Sequence, residues 1–347
     1  MTRISTLKSI STTLHPAFFS AFQVRDCSEE MGLAIEQALI DTTQKCTRPG
    51  TRERKRAHYR HDNPAGNLFS LCLGLCEVER LPFVVRLIEF LCIIDDVLEE
   101  LPHNKAIIEH DILCEAVSSN SAEDPSIPWT DNTRPEWISF LHETRVEMLN
   151  VDPKRTPGLF QSFEQSLRGR ESSSVEFDTL EVYIPFRLLN FDYEFVSRLI
   201  LWAMDEDLPK EDSSSDLFAE FKYSIGVIVG LVNDYFSWEM EKHQVEESDR
   251  VRNAVFVVMK ERGISERKAK AEVRKVIIRE EHKVQVILMG DEGEGEGDQQ
   301  SRSRATERYL EQLRMFAGGY SYWCATCPRY SRPQGENSEG TQSEDDN

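Results

Sequence analysis

The stretch PFVVRLIEFLCIIDDVLEEL, residues 82–101, decides the fold of this chain. Its opening proline suits the first turn of a helix. The apolar residues that follow recur at helical spacing, namely Val84, Leu87, Ile88, Leu91 and Ile94. The apolar face ends in three carboxylates, Asp95, Asp96 and Glu99. The pattern predicts a core helix that brings a cluster of acids to one end.

This acidic cluster has two interpretations. Asp95 and Glu99 lie one turn apart on one helix face, with Asp96 beside them. Three carboxylates this close repel one another unless a cation neutralises them. Mg²⁺ favours such oxygen ligands and commonly bridges protein carboxylates to substrate phosphates. The alternative is a solvated helix end in an acidic chain, since the motif alone is a weak signal.

The charge of the chain restricts its partners. The 347 residues carry a formal net charge of −20, and 39% of them are hydrophobic. The length allows one large domain or two, with a sizeable core. The acidic balance argues against a general nucleic-acid binder. An anionic substrate would therefore have to be held locally, by metal ions and a few arginines.

Several features bear on the cellular compartment. No apolar stretch is long enough to span a bilayer, and the N-terminus lacks the apolar segment of a secretory signal. We expect a cytoplasmic protein, with a transit peptide in residues 1–25 as the alternative. The eight cysteines are interpreted as reduced thiols, and the pair Cys324 and Cys327 lacks the second pair that a zinc site needs.

Helical periodicity recurs along the whole chain, and no sustained alternation predicts strands. We predict one all-α domain over residues 1–332. Its Gly-rich acidic stretch, about 290–303, is predicted to be a disordered insertion, and residues 333–347 a disordered tail or linker. The basic run Arg48–Arg60 is expected to be a solvated loop, with an anion- or nucleic-acid-binding patch as the alternative.

A second motif lies in LVNDYFSWEMEK, residues 231–242. Asn233, Ser237 and Glu241 are spaced by four, so an amide, a hydroxyl and a carboxylate lie along one helix face. All three can offer oxygen to a hard cation. An apolar stem precedes them, as it precedes Asp95. Two such helices would place two metal sites at the same mouth of a helical bundle.

Together these motifs resemble those of the class I terpene cyclases. That family carries a DDxx(D/E) motif and a later NDxxSxxxE motif, which correspond here to residues 95–99 and 233–241. It also has an arginine about forty-six residues before the Asn, where Arg187 stands, and a W-x5-R-Y segment like that from Trp323 to Tyr330. The segments HPAFFSAF and WCATCPRY resemble, more narrowly, the cyclase domains of fungal bifunctional diterpene and sesterterpene synthases.

The resemblance implies a class I terpenoid synthase fold, an α-helical bundle around a central apolar cavity, with three Mg²⁺ ions. It implies metal ligands at Asp95, Asp96, Glu99, Asn233, Ser237 and Glu241, of which Asp96 and Glu99 could instead orient waters or arginines. It implies substrate contacts from Arg187, Asn190, Phe191, Trp323, Arg329 and Tyr330. Catalytic roles fall to Asp95, Arg187, Arg329, Tyr330 and Trp323, with Phe191 and Phe90 as further aromatic candidates. One departure is Met240, where the family usually has Lys or Arg.

The implied reaction is ionisation of a linear isoprenoid diphosphate, geranylgeranyl diphosphate first, and cyclisation of the carbocation to a polycyclic diterpene. A C25 substrate is the nearest alternative. A trans-prenyltransferase would carry a second aspartate-rich motif, and a non-catalytic helical scaffold would not couple Mg²⁺ to diphosphate binding. In the bifunctional relatives a linker leads to a prenyltransferase domain, so we expect a cyclase half or a stand-alone relative. A homo-oligomer is left open.

The chain has two Arg-Tyr pairs that could contact the diphosphate, Arg308-Tyr309 and Arg329-Tyr330. We predict the second pair, because Trp323 precedes it at the family spacing. It also follows Gly318-Gly319, which is interpreted as a flexible joint suited to a closing lid. Arg308 lies in a helical pattern with acidic neighbours, where a solvated arginine is the ordinary expectation.

Overall fold

The computed structural model describes residues 7–11, 15–98, 101–118, 134–170, 176–242, 252–289 and 302–331. Within these ranges the chain forms fifteen helices and one antiparallel pair of two-residue strands, β1 (Lys8–Ser9) and β2 (Arg25–Asp26). The helices are α1 (Glu29–Cys46), α2 (Arg52–His61), α3 (Leu68–Cys72), α4 (Leu81–Leu98), α5 (His103–Ser118), α6 (Pro135–Val151), α7 (Thr156–Arg170), α8 (Leu180–Asn190), α9 (Tyr193–Ala203), α10 (Lys210–Ser213), α11 (Asp216–Glu241), α12 (Ala254–Arg262), α13 (Glu266–Met289), α14 (Arg304–Thr326) and α15 (Pro328–Ser331). The all-α prediction is confirmed.

The ends of the helices follow local chemistry. Ser28, Ser215 and Ser303 each accept a hydrogen bond from the backbone N–H three residues on, which caps α1, α11 and α14. Gly263 ends α12 in the left-handed conformation, with φ at 60°, which glycine adopts at many helix ends. Of the predicted insertion, the structure describes only residues 302 and 303. The predicted tail lies outside the described residues.

Two apolar helices form the centre of the bundle. Helix α4 packs against α1, α2, α6 and α9, and α11 packs against α8, α12, α13 and α14. On α4, Phe90 is fully buried and packs against Trp137 and Phe140, with ring centroids 5.9 and 5.5 Å away. Phe90 is therefore a core residue. None of the described helices is long and apolar enough to cross a membrane.

The prediction of a solvated loop at Arg48–Arg60 is wrong, because most of this run forms helix α2. The buried face of α2 consists of Glu53, Ala57 and Arg60, at helical spacing. Two of these positions are charged, so the hydrophobic pattern that marks a helix in a sequence is missing. Their charges are neutralised inside the protein, with Arg134 lying 2.8 Å from Glu53 and Glu89 lying 2.7 Å from Arg60.

The interpretation of Gly318-Gly319 as a flexible joint is also wrong. Both glycines lie inside the continuous helix α14, and both are buried. A Cβ added to Gly319 would come within 2.1 Å of the Leu71 carbonyl oxygen, and one added to Gly318 within 2.9 Å of the Phe22 side chain. The absent side chains let α14 approach α3 and the segment before β2 closely.

The close approach at Gly319 makes a stability prediction. Gly319→Ala should lower the free energy of unfolding by about 3 kcal/mol or more, because backbone atoms of α3 would have to move. Gly32→Ala is the matched control, since no atom lies within 4 Å of its added Cβ in α1. It should raise the free energy of unfolding by about 0.5–1 kcal/mol. Urea unfolding followed by circular dichroism measures both, and equal effects would contradict the packing role.

Candidate active site

A cavity of about 160 Å³ lies between α4, α8, α9, α11 and α14. One part of its wall is apolar and aromatic, formed by Leu68, Phe69, Cys72, Leu73, Ile88, Leu91, Cys92, Phe191, Val196, Phe316, Tyr320 and Trp323. Along α4 the wall changes from Ile88 and Leu91 to Asp95, and along the C-terminal helices from Phe316 to Arg329. The cavity therefore has an apolar part and a charged end.

The structure brings most of the predicted site residues to this cavity. The following line it: Asp95, Arg187, Asn190, Phe191, Asn233, Trp323, Arg329 and Tyr330. Asp96, Ser237 and Glu241 lie behind the wall, and Glu99 lies outside the described residues. Contacts join the motifs across the cavity, since the Asn233 amide nitrogen donates to the hydroxyls of Tyr320 and Tyr330 over 2.9 and 3.1 Å. The roles of these residues remain predictions.

The two neighbouring aspartates of the first motif have different environments. The Asp95 side chain is 48% exposed, whereas that of Asp96 is 1% exposed. Arg329 donates to Asp96 Oδ1 from both Nη atoms over 3.1 Å, and Arg60 and Arg56 contact the same carboxylate. Burial alone would raise the pKa of Asp96, but these arginines hold it below its usual value. Asp96 is thus enclosed by three arginines, and Asp95 is the carboxylate that lines the cavity.

Arg187 is held in place by the second motif. Its Nη2 donates to Asn233 Oδ1 over 2.7 Å, its Nη1 contacts Asn190, and its Nε lies 2.9 Å from Asp234 Oδ1. Asp234 is completely buried and also accepts hydrogen bonds from the Tyr183 hydroxyl (2.8 Å) and from a backbone N–H of α12 (2.9 Å). The guanidinium of Arg187 is therefore fixed at the charged end of the cavity.

The oxygen donors of the second motif suit a hard cation. Asn253, the N-cap of α12, donates to Glu241 Oε2 over 2.9 Å and lies 3.4 Å from Ser237 Oγ, which brings these oxygens together. Burial raises the pKa of Glu241, and nearby Asp234 raises it further. A bound cation would offset both effects. The residues present therefore fit a divalent metal ion.

Among the described residues, which leave out Glu99, neither motif forms a complete metal site from acids alone. In the parts of the chain that the structure describes, no three His, Cys, Asp or Glu side chains lie close enough to hold a metal ion. Mg²⁺ is commonly bound by one or two carboxylates, with water and substrate phosphate oxygens completing its shell. The arrangement fits that mode of binding.

Sequence reasoning missed three charged residues that line the cavity: Arg60, Arg170 and Asp192. Arg170 donates to Asp95 Oδ1 over 2.9 Å and lies 3.5 Å from Asp192 Oδ2. Asp192 is buried, has a left-handed backbone with φ at 55°, and accepts a hydrogen bond from Ser166 Oγ over 2.7 Å. Of the three, only Arg60 could have been detected in the sequence, through its helical spacing from Glu53 and Ala57.

The two Arg-Tyr pairs lie in different surroundings. Arg329 and Tyr330 line the cavity, and the Tyr330 ring packs edge-on against Trp323 with centroids 5.7 Å apart. Arg308 pairs with Glu206 on another surface, and the Tyr309 hydroxyl donates to the Ser197 carbonyl over 2.8 Å in the core. Of the two pairs, only Arg329-Tyr330 therefore lines the cavity.

The charges of the cavity favour an anionic ligand. Four arginines line it (Arg60, Arg170, Arg187 and Arg329), against two aspartates (Asp95 and Asp192). These arginines lie in a chain whose formal net charge is −20, and buried acids behind the wall hold three of them: Asp96 contacts Arg60 and Arg329, and Asp234 contacts Arg187. Because the rest of the wall is largely apolar, the cavity suits a molecule with an anionic head and a hydrocarbon body.

Comparisons with known proteins agree with this geometry. The family model described as terpene synthase family 2, C-terminal metal binding, matches residues 86–283, more than half of the chain. Sesterterpene synthase btcA of Colletotrichum orbiculare is 26% identical over 77% of this chain, and ophiobolin F synthase oblA of Cochliobolus heterostrophus is 27% identical over 77%. The aligned region spans 37% and 35% of those relatives.

The fold has a solved counterpart. Aristolochene synthase of Penicillium roqueforti superposes with a TM-score of 0.66 at 17% identity, covering 89% of this chain and 98% of that one. At this level of identity the likeness shows the fold alone. The predicted bundle around a central cavity is confirmed.

The unequal environments of the two aspartates predict unequal stability effects. Asp96→Asn should lower the free energy of unfolding by about 3–5 kcal/mol, because buried arginines lose their partner. Asp95→Asn should change it by no more than about 1 kcal/mol, because the carboxylate is half exposed and screened by water. Urea unfolding at neutral pH measures both. An Asp96→Asn variant as stable as Asp95→Asn would contradict the arginine cluster.

Proposed function

The chain belongs to terpene synthase family 2, and on that premise we propose that it cyclises a linear isoprenoid diphosphate in a Mg²⁺-dependent reaction. One observation carries this proposal. The cavity joins an end lined by four arginines to an apolar and aromatic wall, and one residue of each predicted metal motif, Asp95 and Asn233, lines it. An isoprenoid diphosphate has the matching character, with a multiply charged anionic head and a branched hydrocarbon tail.

The residues proposed to hold the metal are Asp95 on α4 and Asn233, Ser237 and Glu241 on α11. Glu99 would assist, and family resemblance leads us to propose three ions. When bound, Mg²⁺ neutralises the diphosphate and stabilises it as a leaving group. Asp96 takes the supporting role of orienting arginines, which its contacts support.

Protein donors act on the departing diphosphate. Arg187 and Arg329 are already fixed at the charged end by Asp234 and Asp96. Donors fixed in advance stabilise charge that develops on the leaving group without reorganising during the reaction. The Tyr330 hydroxyl, which accepts from Asn233 Nδ2 over 3.1 Å, would add a further donor.

The apolar wall is proposed to stabilise the carbocation and to shield it from water. The Trp323 ring stacks on Tyr320 with centroids 6.0 Å apart, and Phe191 meets Tyr320 edge-on at 5.5 Å. Aromatic faces stabilise a desolvated cation by about 2 kcal/mol or more. A wall of this kind also excludes the water that would quench the cation before it cyclises. Trp323 and Phe191 are therefore proposed as cation-stabilising faces.

We propose geranylgeranyl diphosphate as the substrate and a polycyclic diterpene as the product. A C25 diphosphate is the second candidate, favoured by the relative that is named a sesterterpene synthase. Incubation with C15, C20 and C25 diphosphates and Mg²⁺, followed by mass spectrometry of the extract, decides between them. A cyclic C20 hydrocarbon is expected. An elongated diphosphate would indicate a prenyltransferase, and no product from any substrate would indicate a scaffold.

A prenyltransferase is proposed as the source of this substrate, because head-to-tail condensation of smaller isoprenoid diphosphates makes linear ones. It could be joined to the cyclase in one polypeptide or act separately. We propose that the reaction takes place in the cytoplasm, where the small diphosphate substrate diffuses between the two activities.

The role of Asp95 can be tested without disturbing the fold. Asp95→Ala should reduce turnover at least about 100-fold, because a metal ligand is lost while the core stays intact. Glu220→Ala is the control, since Glu220 is exposed on α11 and far along the helix from the second motif. Product formation and melting temperature are measured together. Near-normal turnover in Asp95→Ala would remove this residue from the metal site.

The two Arg-Tyr pairs supply a second test. Arg329→Ala should lower kcat/KM by about 100-fold or more, because a donor to the leaving group is lost. Arg308→Ala should stay within about threefold of the parent, because its partner Glu206 lies on another surface. Steady-state kinetics with the accepted diphosphate measures both. The assignment fails if Arg308→Ala, and not Arg329→Ala, shows the large loss of kcat/KM.

A further inference from the structure

Asn253, the N-cap of α12, is completely buried against the second motif. Its Nδ2 donates to the backbone oxygen of Asp234 and to Glu241 Oε2, in both cases over 2.9 Å. Its Oδ1 accepts from the backbone N–H of Val255 over 2.8 Å. Exchanging the oxygen and the nitrogen of this amide would place acceptors against acceptors and a donor against a donor. The partners therefore fix the orientation of the Asn253 amide.

Glu241 is the partner for which this orientation matters most. It is the last residue of α11, so its side chain has no later turn of that helix beside it. Burial and the nearby carboxylate of Asp234 raise the pKa of Glu241, whereas hydrogen bonds with Ser237 and Asn253 lower it. Of these two hydrogen-bonding residues, only Asn253 comes from outside α11. It therefore ties the Glu241 carboxylate to a neighbouring helix.

The next residue along the chain holds the acid that fixes Arg187. The backbone N–H of Ala254 donates to Asp234 Oδ2 over 2.9 Å, and Asp234 Oδ1 lies 2.9 Å from Arg187 Nε. The start of α12 thus contacts α11 at both Asp234 and Glu241. Because the Ala254 contact comes from the backbone, a change of the side chain at Asn253 would leave it in place. The hold on Glu241 can therefore be tested separately from the hold on Arg187.

We propose that Asn253 is a positioning residue for the metal ligands of the second motif. Its Nδ2 holds Glu241 Oε2 and lies 3.4 Å from Ser237 Oγ, which keeps two predicted ligand oxygens together. Residues that hydrogen-bond to metal ligands commonly contribute about 10- to 100-fold to metal affinity. This inference rests on the proposed function, because it concerns the Mg²⁺ that the proposed cyclisation requires.

The experiment is calorimetric titration of the full chain with inorganic pyrophosphate at a low and at a high Mg²⁺ concentration. Asn253→Ser and Asn253→Thr keep an oxygen that can cap α12, but their side chains are too short to replace Nδ2 at Glu241. Glu241→Ala, alone and combined with Asn253→Ser, tests whether Asn253 acts through this carboxylate. Ser28→Ala is the control, since it removes the cap of α1, none of whose residues lines the cavity.

At low Mg²⁺ both Asn253 variants should bind pyrophosphate about 10- to 100-fold more weakly than the parent, and Glu241→Ala should lose at least as much. High Mg²⁺ should bring the Asn253 variants to within about threefold of the parent, because mass action offsets a weaker metal site. At a Mg²⁺ concentration where Glu241→Ala still binds, adding Asn253→Ser should weaken binding no further. Ser28→Ala should melt at a lower temperature and bind like the parent.

Parent-like affinity in the Asn253 variants at low Mg²⁺ would overturn the inference and leave the proposed function standing. A loss that high Mg²⁺ does not relieve would also overturn it, because Asn253 would then support the fold and not the metal site. The same holds if Asn253→Ser has an equal effect with and without the Glu241 carboxylate. Melting curves show which variants are folded, and Asn253→Thr decides the question if Asn253→Ser is not. A parent chain that binds no pyrophosphate with Mg²⁺ would overturn the proposed function and this inference with it.

Discussion

The buried carboxylate of Asp96 is the interaction on which the rest of the structure depends. It is contacted by Arg56 and Arg60 from α2 and by Arg329 from α15, so it joins α2 and α4 to the last helix of the described chain. Removing one partner from such a buried cluster costs about 3–5 kcal/mol. This explains why α2 can bury a charged face, and why the C-terminal residues return to the mouth of the cavity.

A second buried acid, Asp234, holds another arginine that lines the cavity. Asp234 fixes Arg187, and Arg187 in turn contacts Asn233, whose amide nitrogen reaches the Tyr330 hydroxyl. The two networks meet at the neighbouring residues 329 and 330. Each motif therefore supplies one acid that holds an arginine and other oxygens that could hold a metal. Structural anchoring and ligand binding are divided between adjacent residues of the same motif.

The sequence revealed those features that an apolar periodicity or a motif marks. The apolar helix α4 and the helix that carries Asn233, Ser237 and Glu241 were predicted from their patterns, and most of the predicted site residues line one cavity. Helix α2 was not predicted because charged residues occupy its buried face. Gly318-Gly319 was misinterpreted because the sequence near the glycines does not show that another segment packs closely against them. Asp95 and Asp96 have different environments because successive helical residues point about 100° apart. The sequence alone does not show which elements lie in each direction, so this difference could not be predicted.

The central claim is that the charged end of the cavity is one site for metal and diphosphate together. Calorimetry of the parent chain with inorganic pyrophosphate, with and without Mg²⁺, tests it most directly. The account predicts that Mg²⁺ increases the affinity for pyrophosphate at least about 100-fold. The reason is that the protein's oxygen ligands and the pyrophosphate oxygens repel one another unless a cation bridges them. Equal affinity with and without Mg²⁺, or no binding in either condition, would contradict it.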